Sequence, residues 1–216
     1  MGWNCILILL PLKQAEKELP ELGFQLLKEL EYQNIGPFVF YWFWKRNFTS
    51  LFFWTCQVVF LIWIACSAMV QPGGFQLVTT FNAFSIGCAI SFLLIPLHEG
   101  LHMLAYKLLG ARQTRMVAHW KKFYFLAIAD GFVANRSEFR IVALAPFVVI
   151  SLLLGLLSIV LGPSAMLSLR FALLVHGGLC SGDFGLLSYF ESHKDREILT
   201  VDDVQAGVSR FWIRNR

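Results

Sequence analysis

FQLVTTFNAFSIGCAISFLLIPLHEGLHMLA, residues 75–105, is the stretch on which the fold turns: no residue from 75 to 97 is charged, and His98, Glu99 and His102 come directly after. Roughly 20 helical residues cross the hydrocarbon core of a bilayer, so the uncharged run is long enough to span it. A charged side chain at the centre of such a span costs roughly 2.5–3.5 kcal/mol on insertion scales, so two histidines and a glutamate there require partners or a task.

Working outward, residues 51–70 and 141–161 form two more uncharged runs, and 167–190 forms a fourth, interrupted by Arg170, His176 and Asp183. Gln71-Pro72-Gly73-Gly74 and Gly162-Pro163-Ser164 are turn signals between them. The pattern predicts a mainly α, multi-pass membrane bundle of about four helices, 51–70, 75–97, 141–161 and 167–190. It divides the chain into an amphipathic N-terminal segment, 1–36, a membrane domain, 37–190, and a charged tail, 191–216.

Composition agrees. The chain is 57% hydrophobic and 15% charged, with a mean hydropathy of +0.62, whereas soluble domains are about 45–50% apolar and about 25% charged. Its net charge of +4 does not imply nucleic acid, because the basic residues flank apolar runs instead of forming a folded basic patch. Cys5, Cys56, Cys66, Cys88 and Cys180 form no Cys-x-x-Cys pair, which excludes a zinc ribbon and argues for reduced packing residues. The apolar start, residues 1–12, lacks a basic leader and a small-residue cleavage site, so it reads as retained sequence.

The stretch 12–35 mixes Lys and Glu with Leu and Phe as an amphipathic helix does. Phe38 to Trp44 is an aromatic cluster ending at Lys45-Arg46, suited to headgroup depth. Between the second and third apolar runs, β-prone pieces around 116–120, 122–128 and 131–133 predict a small cytosolic hairpin or meander. In the tail, Thr200 followed by Asp203 resembles the N-cap of a short terminal helix.

Lys and Arg fall five in 1–50, seven in 98–140 and five in 191–216, which is 17 of the 18. The positive-inside bias then puts both termini and the central loop in the cytosol of a cell membrane. The second and fourth helices run the same way, so His98 and Asp183 lie at similar depth.

On a helix, His98 and His102 are i and i+4 on one face, and both can reach one cation. Zn2+ is the expected cofactor. It lowers the pKa of water to roughly 7, and Glu99 is placed as the general base that takes the proton. Catalytic zinc normally has three protein ligands. Asp183, the only carboxylate between Glu138 and Glu191, is the first choice for the third. His176 is its rival, two turns earlier and about 10 Å along the same helix. His176 and Ser181 are the candidates for hydrogen-bond support of the ligands. Cys180 is a buried packing residue near enough to serve as a soft ligand. Arg170 reads as snorkelling to the outer interface. Gly177, Gly178, Gly182 and Gly185 permit close helix packing, or loosen the helix for a substrate strand. Pro96 frees a carbonyl on its own helix and can bend it.

The run Leu97-His98-Glu99-Gly100-Leu101-His102-Met103-Leu104-Ala105, the segment Ala143-Leu144-Ala145-Pro146-Phe147 and Ser181-Gly182-Asp183 resemble the bacterial putative zincin peptidases, compact relatives of the site-2 proteases. The resemblance covers roughly 75–190. It implies that His98, His102 and Asp183 bind zinc and that Glu99 is the base. It departs from site-2 proteases in lacking an Asn-x-x-Pro segment ahead of the Asp, and no PDZ-like module is present.

The function expected is therefore an intramembrane or membrane-proximal zinc peptidase, partnered by the lipid bilayer and a membrane-anchored or transmembrane peptide substrate. A zinc-binding scaffold or sensor without turnover is the alternative, and a transporter is the third class. Glu99 separates the first two, since a structural site needs no base. Internal repeats, which would favour a transporter, are absent from the sequence.

Overall fold

The computed structural model describes residues 12–71, 74–119 and 124–215; the expected retained start, Cys5, and parts of the first turn and of the hairpin lie outside them. Helix α1 is Leu12–Glu21 and strand β1 Gln25–Glu31. A 3-10 turn, Tyr32–Asn34, leads into α2, Ile35–Phe43. Then come α3, Phe48–Met69, α4, Leu77–Leu93, and α5, Ile95–Leu108. Strands β2, Thr114–His119, β3, Tyr124–Ala129, and β4, Val133–Asn135, precede α6, Arg136–Val160. Helices α7, Pro163–Leu179, and α8, Ser181–Ser192, lead to β5, Arg196–Asp203, and β6, Val208–Asn215.

Three helical stretches are long and apolar enough to cross a membrane: Phe48–Met69, Leu77–Leu108 and Arg136–Val160. There are four if α7 and α8, which meet at a 44° bend, count as one. Two of these elements differ from the expected spans. The second run stops at Leu93, and the histidine motif sits in the first turns of a new helix, α5, with Pro96 in its first turn, a position where the missing N–H is no loss. The fourth run breaks at Cys180, where Asp183 enters the first turn of α8.

At the starts of α3 and α6, side chains satisfy otherwise unpaired N–H groups. Asn47 Oδ1 accepts from Ser50 N at 3.0 Å. Asn135 and Glu138 form a reciprocal capping box at the start of α6. Between helices, packing is close enough to need glycine. A Cβ on Gly87 would lie 2.6 Å from Phe171 Cβ and 2.8 Å from Ala172 N, so α4 lies directly against α7.

The expected 12–35 helix is corrected. It ends at Glu21, where Gly23 takes a left-handed φ of 81°, the usual stop that only glycine adopts without strain. The next element, β1, is a strand. The tail is corrected too: β5 and β6 pair in register from Arg196↔Asn215 to Asp203↔Val208. Thr200 lies within β5, and Asp203 Oδ1 accepts from Ala206 N at 2.9 Å, closing the hairpin turn instead of capping a helix. Alternation decides this segment, because Leu199, Val201 and Trp212 pack with Leu19 of α1 while Ile198 and Phe211 pack toward the helical bundle, a period of two that a helix cannot produce.

The strands form a four-stranded sheet, β1-β6-β5-β4, and a separate β2-β3 pair. The expected hairpin is present as β2-β3, but its third piece, β4, joins the larger sheet. That sheet unites the N-terminal segment, the central loop and the tail. One of its faces is covered by α1 and the other closes over the ends of α5, α6 and α8.

Gly87→Val should lower the thermal unfolding temperature of the detergent-solubilised protein, with an overpacking cost of about 1–3 kcal/mol. Gly100→Ala, where an added Cβ meets nothing within 4 Å, should be neutral or gain up to about 1 kcal/mol. Equal effects of the two would refute the close α4–α7 contact.

Candidate metal centre

Helix α5 presents His98, Glu99 and His102, all buried. The bend before α8 brings Asp183 across to them, with Asp183 Oδ2 3.3 Å from His98 Nε2 and Oδ1 3.2 Å from His102 Nε2. The two Nε2 atoms are 3.1 Å apart. Tetrahedral bonds of about 2.0–2.1 Å require ligand atoms about 3.3 Å apart, so these three donors have the spacing of one metal's ligand set.

The protons point to the same answer. His102 Nδ1 lies 2.9 Å from the Val142 carbonyl oxygen, and a carbonyl only accepts, so Nδ1 carries the hydrogen. In neutral His102 the Nε2 lone pair therefore faces the His98 Nε2 and a carboxylate oxygen. Lone pairs and a negative charge converge on one buried point, an arrangement that a bound cation or a shared proton satisfies. His98, His102 and Asp183 form a group able to hold a metal ion.

His176 does not compete with Asp183 for one position. Its Nε2 lies 3.3 Å from His98 Nδ1, the ring nitrogen away from Asp183, so the bend lets both residues reach His98 from opposite sides. With Nε2 free for a metal, His98 Nδ1–H donates to His176 and fixes the ring. Cys180 Sγ is 3.9 Å from His98 Nδ1, and His98, His176 and Cys180 form a second, wholly buried group of possible donors. The first group is favoured because it includes a carboxylate and opens on a cavity shared with Glu99. Ser181 starts α8 two residues before Asp183, and among the described residues its side chain makes no hydrogen bond to the three donors.

That cavity, about 100 Å³, has Glu99, His102 and Asp183 on its floor. The large sheet supplies its roof, where Thr200, Asp202 and Ser209 of β5 and β6 stand beside Tyr32. The backbone of Ala127 on β3 lies beside Glu99. The sequence reading missed this roof, although Asp202 in a buried alternating strand was a signal. It missed the Val142 carbonyl for a better reason: no residue type marks a backbone acceptor.

Asp202 accepts from Ser209 Oγ at 2.5 Å. Burial, with Asp130 nearby, raises its carboxyl from 3.8 to about 6, against the lowering by Ser209 and the Ala129 backbone. Burial first, then the nearby Asp202, also pushes the Tyr32 hydroxyl well up; that hydroxyl has no hydrogen-bond partner among the described residues.

Arg170 is held inside the bundle, over the Trp63 ring at 4.4 Å and donating to Ser67 Oγ; it takes no part in the centre. Cys56, Cys66, Cys88 and Cys180 are free thiols. Among the glycines of the fourth run, Gly185 is forced small by Val39, 2.5 Å from where a Cβ would stand, and Gly177 by Gln57 at 2.9 Å, whereas Gly182 has open space.

Two histidines four apart on one helix and a carboxylate from a second, with a glutamate between the histidines, make a group that could hold a metal ion inside a helical bundle. Residues 91–196 match the model of the family described as "Putative zincin peptidase", and this segment, from the last turn of α4 to the start of β5, holds every residue of the centre. The match places the segment in a zincin-type peptidase family. No curated protein and no solved structure matches the chain.

Two outcomes are expected. His102→Ala and Asp183→Ala should each remove most bound metal, measured by elemental analysis of purified protein, because each deletes one of three ligands; His176→Ala should weaken binding by about 10–100-fold, as loss of a supporting hydrogen bond does. Full metal content in Asp183→Ala would overturn the assignment. For Asp202, the raised folded-state pKa means that the native state binds more protons than the unfolded chain between about pH 4 and 6, so this residue's contribution to stability falls as pH rises through that window. Asp202→Asn should thus raise the unfolding temperature at pH 7.5 and lose that advantage below about pH 4; a variant less stable than wild type at pH 7.5 would contradict the burial argument.

Proposed function

We propose that the protein is a zinc-dependent membrane peptidase, acting within or beside the bilayer on membrane-anchored or transmembrane peptides. The observation that carries this reading is the convergence of His98 Nε2, His102 Nε2 and an Asp183 oxygen on one point with Glu99 on the same cavity floor. Zinc held there would supply a Lewis acid that brings water toward ionisation near neutral pH.

The chain's own groups account for the rest. Glu99 is next to His98 in sequence yet is not one of the three donors, so its carboxylate is available to take a proton from the attacking water and pass it to the amine nitrogen as the peptide C–N bond breaks. The Ala127 backbone of β3 lies beside that carboxylate. Because β2 and β3 pair only with each other among the described residues, each keeps one open edge there, and an extended substrate backbone can add to such an edge. The enclosing apolar walls, among them Phe139, Leu186 and Phe211, limit water around the centre.

Membrane placement rests on the apolar helices and on the sheet that gathers the three Lys- and Arg-rich stretches. That gathering supports cytosolic termini, since positive charge is retained on that side. A non-catalytic zinc scaffold has the same ligands but no use for Glu99.

Glu99→Gln preserves shape and removes basicity. It should keep its metal and its unfolding temperature while turnover of single-span peptide substrates in liposomes falls by at least roughly 10²–10⁴-fold. Equal cleavage by both proteins would take Glu99 out of the mechanism, and no cleavage by wild type across a broad panel would favour the scaffold.

A further inference from the structure

A second cavity, of about 370 Å³, lies apart from the metal centre, between the starts of α3 and α6 and the flank of α8. Its volume is within the roughly 300–1,000 Å³ of ligand sites. Its lining is sorted by depth. Along α6, Arg136, Arg140 and Leu144 succeed one another at i, i+4 and i+8 on one face, so the Arg140 backbone stands about 6 Å along the axis from that of Leu144. On the facing side, Phe52 of α3 and Leu187 of α8 continue the apolar part.

The entrance is basic. Arg140 and Lys194 are exposed, and neither forms an ion pair among the described residues. The one carboxylate in the lining, Glu191, is already occupied: it accepts from Phe48 N at 3.2 Å, from Thr49 N at 2.8 Å and from Thr49 Oγ at 2.5 Å. Arg136 donates to the carbonyls of His193, Lys194 and Arg196 at 2.6, 2.9 and 3.0 Å. Those bonds pin the segment that carries Lys194 beside α6, so the two exposed cations are held across one opening.

An inorganic anion would use the cations and leave the apolar depth empty, and an uncharged lipid would use the depth and leave the cations. We infer that this cavity binds one anionic phospholipid of the cytosolic leaflet, its phosphate on Arg140 and Lys194 and the first part of an acyl chain against Phe52, Leu144 and Leu187. Phe184, also in the lining, is the residue after Asp183, so the lipid would bear on the helix that carries the third metal ligand.

The inference rests on the membrane placement proposed above and is independent of peptidase activity. The test uses the full chain in mild detergent, offered equal amounts of phosphatidylglycerol and phosphatidylcholine, with retained lipid read by native mass spectrometry. Wild type should retain phosphatidylglycerol preferentially, and R140Q/K194Q should reduce that preference by roughly 10–30-fold, the loss expected for two cations near a phosphate, while both proteins unfold at the same temperature without lipid. Equal retention of the two lipids by wild type, an unchanged preference in the double variant, or displacement of phosphatidylglycerol by an equal concentration of inorganic phosphate would each overturn the lipid site and leave the membrane placement standing. A chain that stays in aqueous solution without detergent would overturn both.

Discussion

The hydrogen bond from His102 Nδ1 to the carbonyl of Val142 sets the terms for the rest of the site. It joins α5 to α6, fixes which nitrogen of the ring carries the proton, and aims the other at His98 and Asp183. A carbonyl inside an α-helix normally accepts from its own helix, so a second acceptance is possible only because oxygen has two lone pairs. The bond also explains why the site lies where two helices touch instead of on one alone. Given that orientation, the 3.1–3.3 Å contacts among three ligand atoms are tolerable only with a cation between them or a proton shared among them, since each group has little water to turn to.

The broken helices serve the same end. A straight helix through α7 and α8 would place His176 and Asp183 about 10 Å apart along one face, and only one could meet His98. The 44° bend at Cys180 folds both toward it, one to each ring nitrogen. The break before Pro96 likewise gives α5 its own start, independent of the direction of α4. Over these bent pieces the sheet closes a polar roof, whose Tyr32 and Asp202 are too costly to bury without purpose. They face a cavity that the metal ligands share, which makes the N- and C-terminal strands part of the site's enclosure.

Much of this was legible in residues 75–105 and around Asp183. Long uncharged runs are read by length alone, and the i, i+4 histidines come from helical geometry, so the helical bundle, the ligand pair and the isolated carboxylate could all be anticipated. The strands at 25–31 and 196–215 were hidden for physical reasons. Gly23 and Gly207, at φ 81° and 71°, end one element and turn another, and a Lys- and Glu-rich segment such as β1, exposed at nearly every position, carries no apolar alternation because it is an edge strand. The β5-β6 hairpin did alternate, but Thr200 to Asp203 also fits a helix cap, and only the partner strand settles which local pattern prevails. Contacts such as Val142 to His102 belong to the backbone and to tertiary placement, which composition and spacing do not encode.

Glu99 and Asp183 stand on one cavity floor yet have different surroundings, and the difference assigns their roles. Asp183 spends both oxygens on the two histidines. Glu99 meets the β3 backbone through Ala127 and otherwise faces the cavity, with Asp202 on the roof opposite. Two acids facing one small space repel when both are ionised, and a cation held among the donors would offset that repulsion from below. A substrate backbone laid along β3 would enter between floor and roof, bringing its carbonyl beside the attacking water and its amide nitrogen toward Glu99.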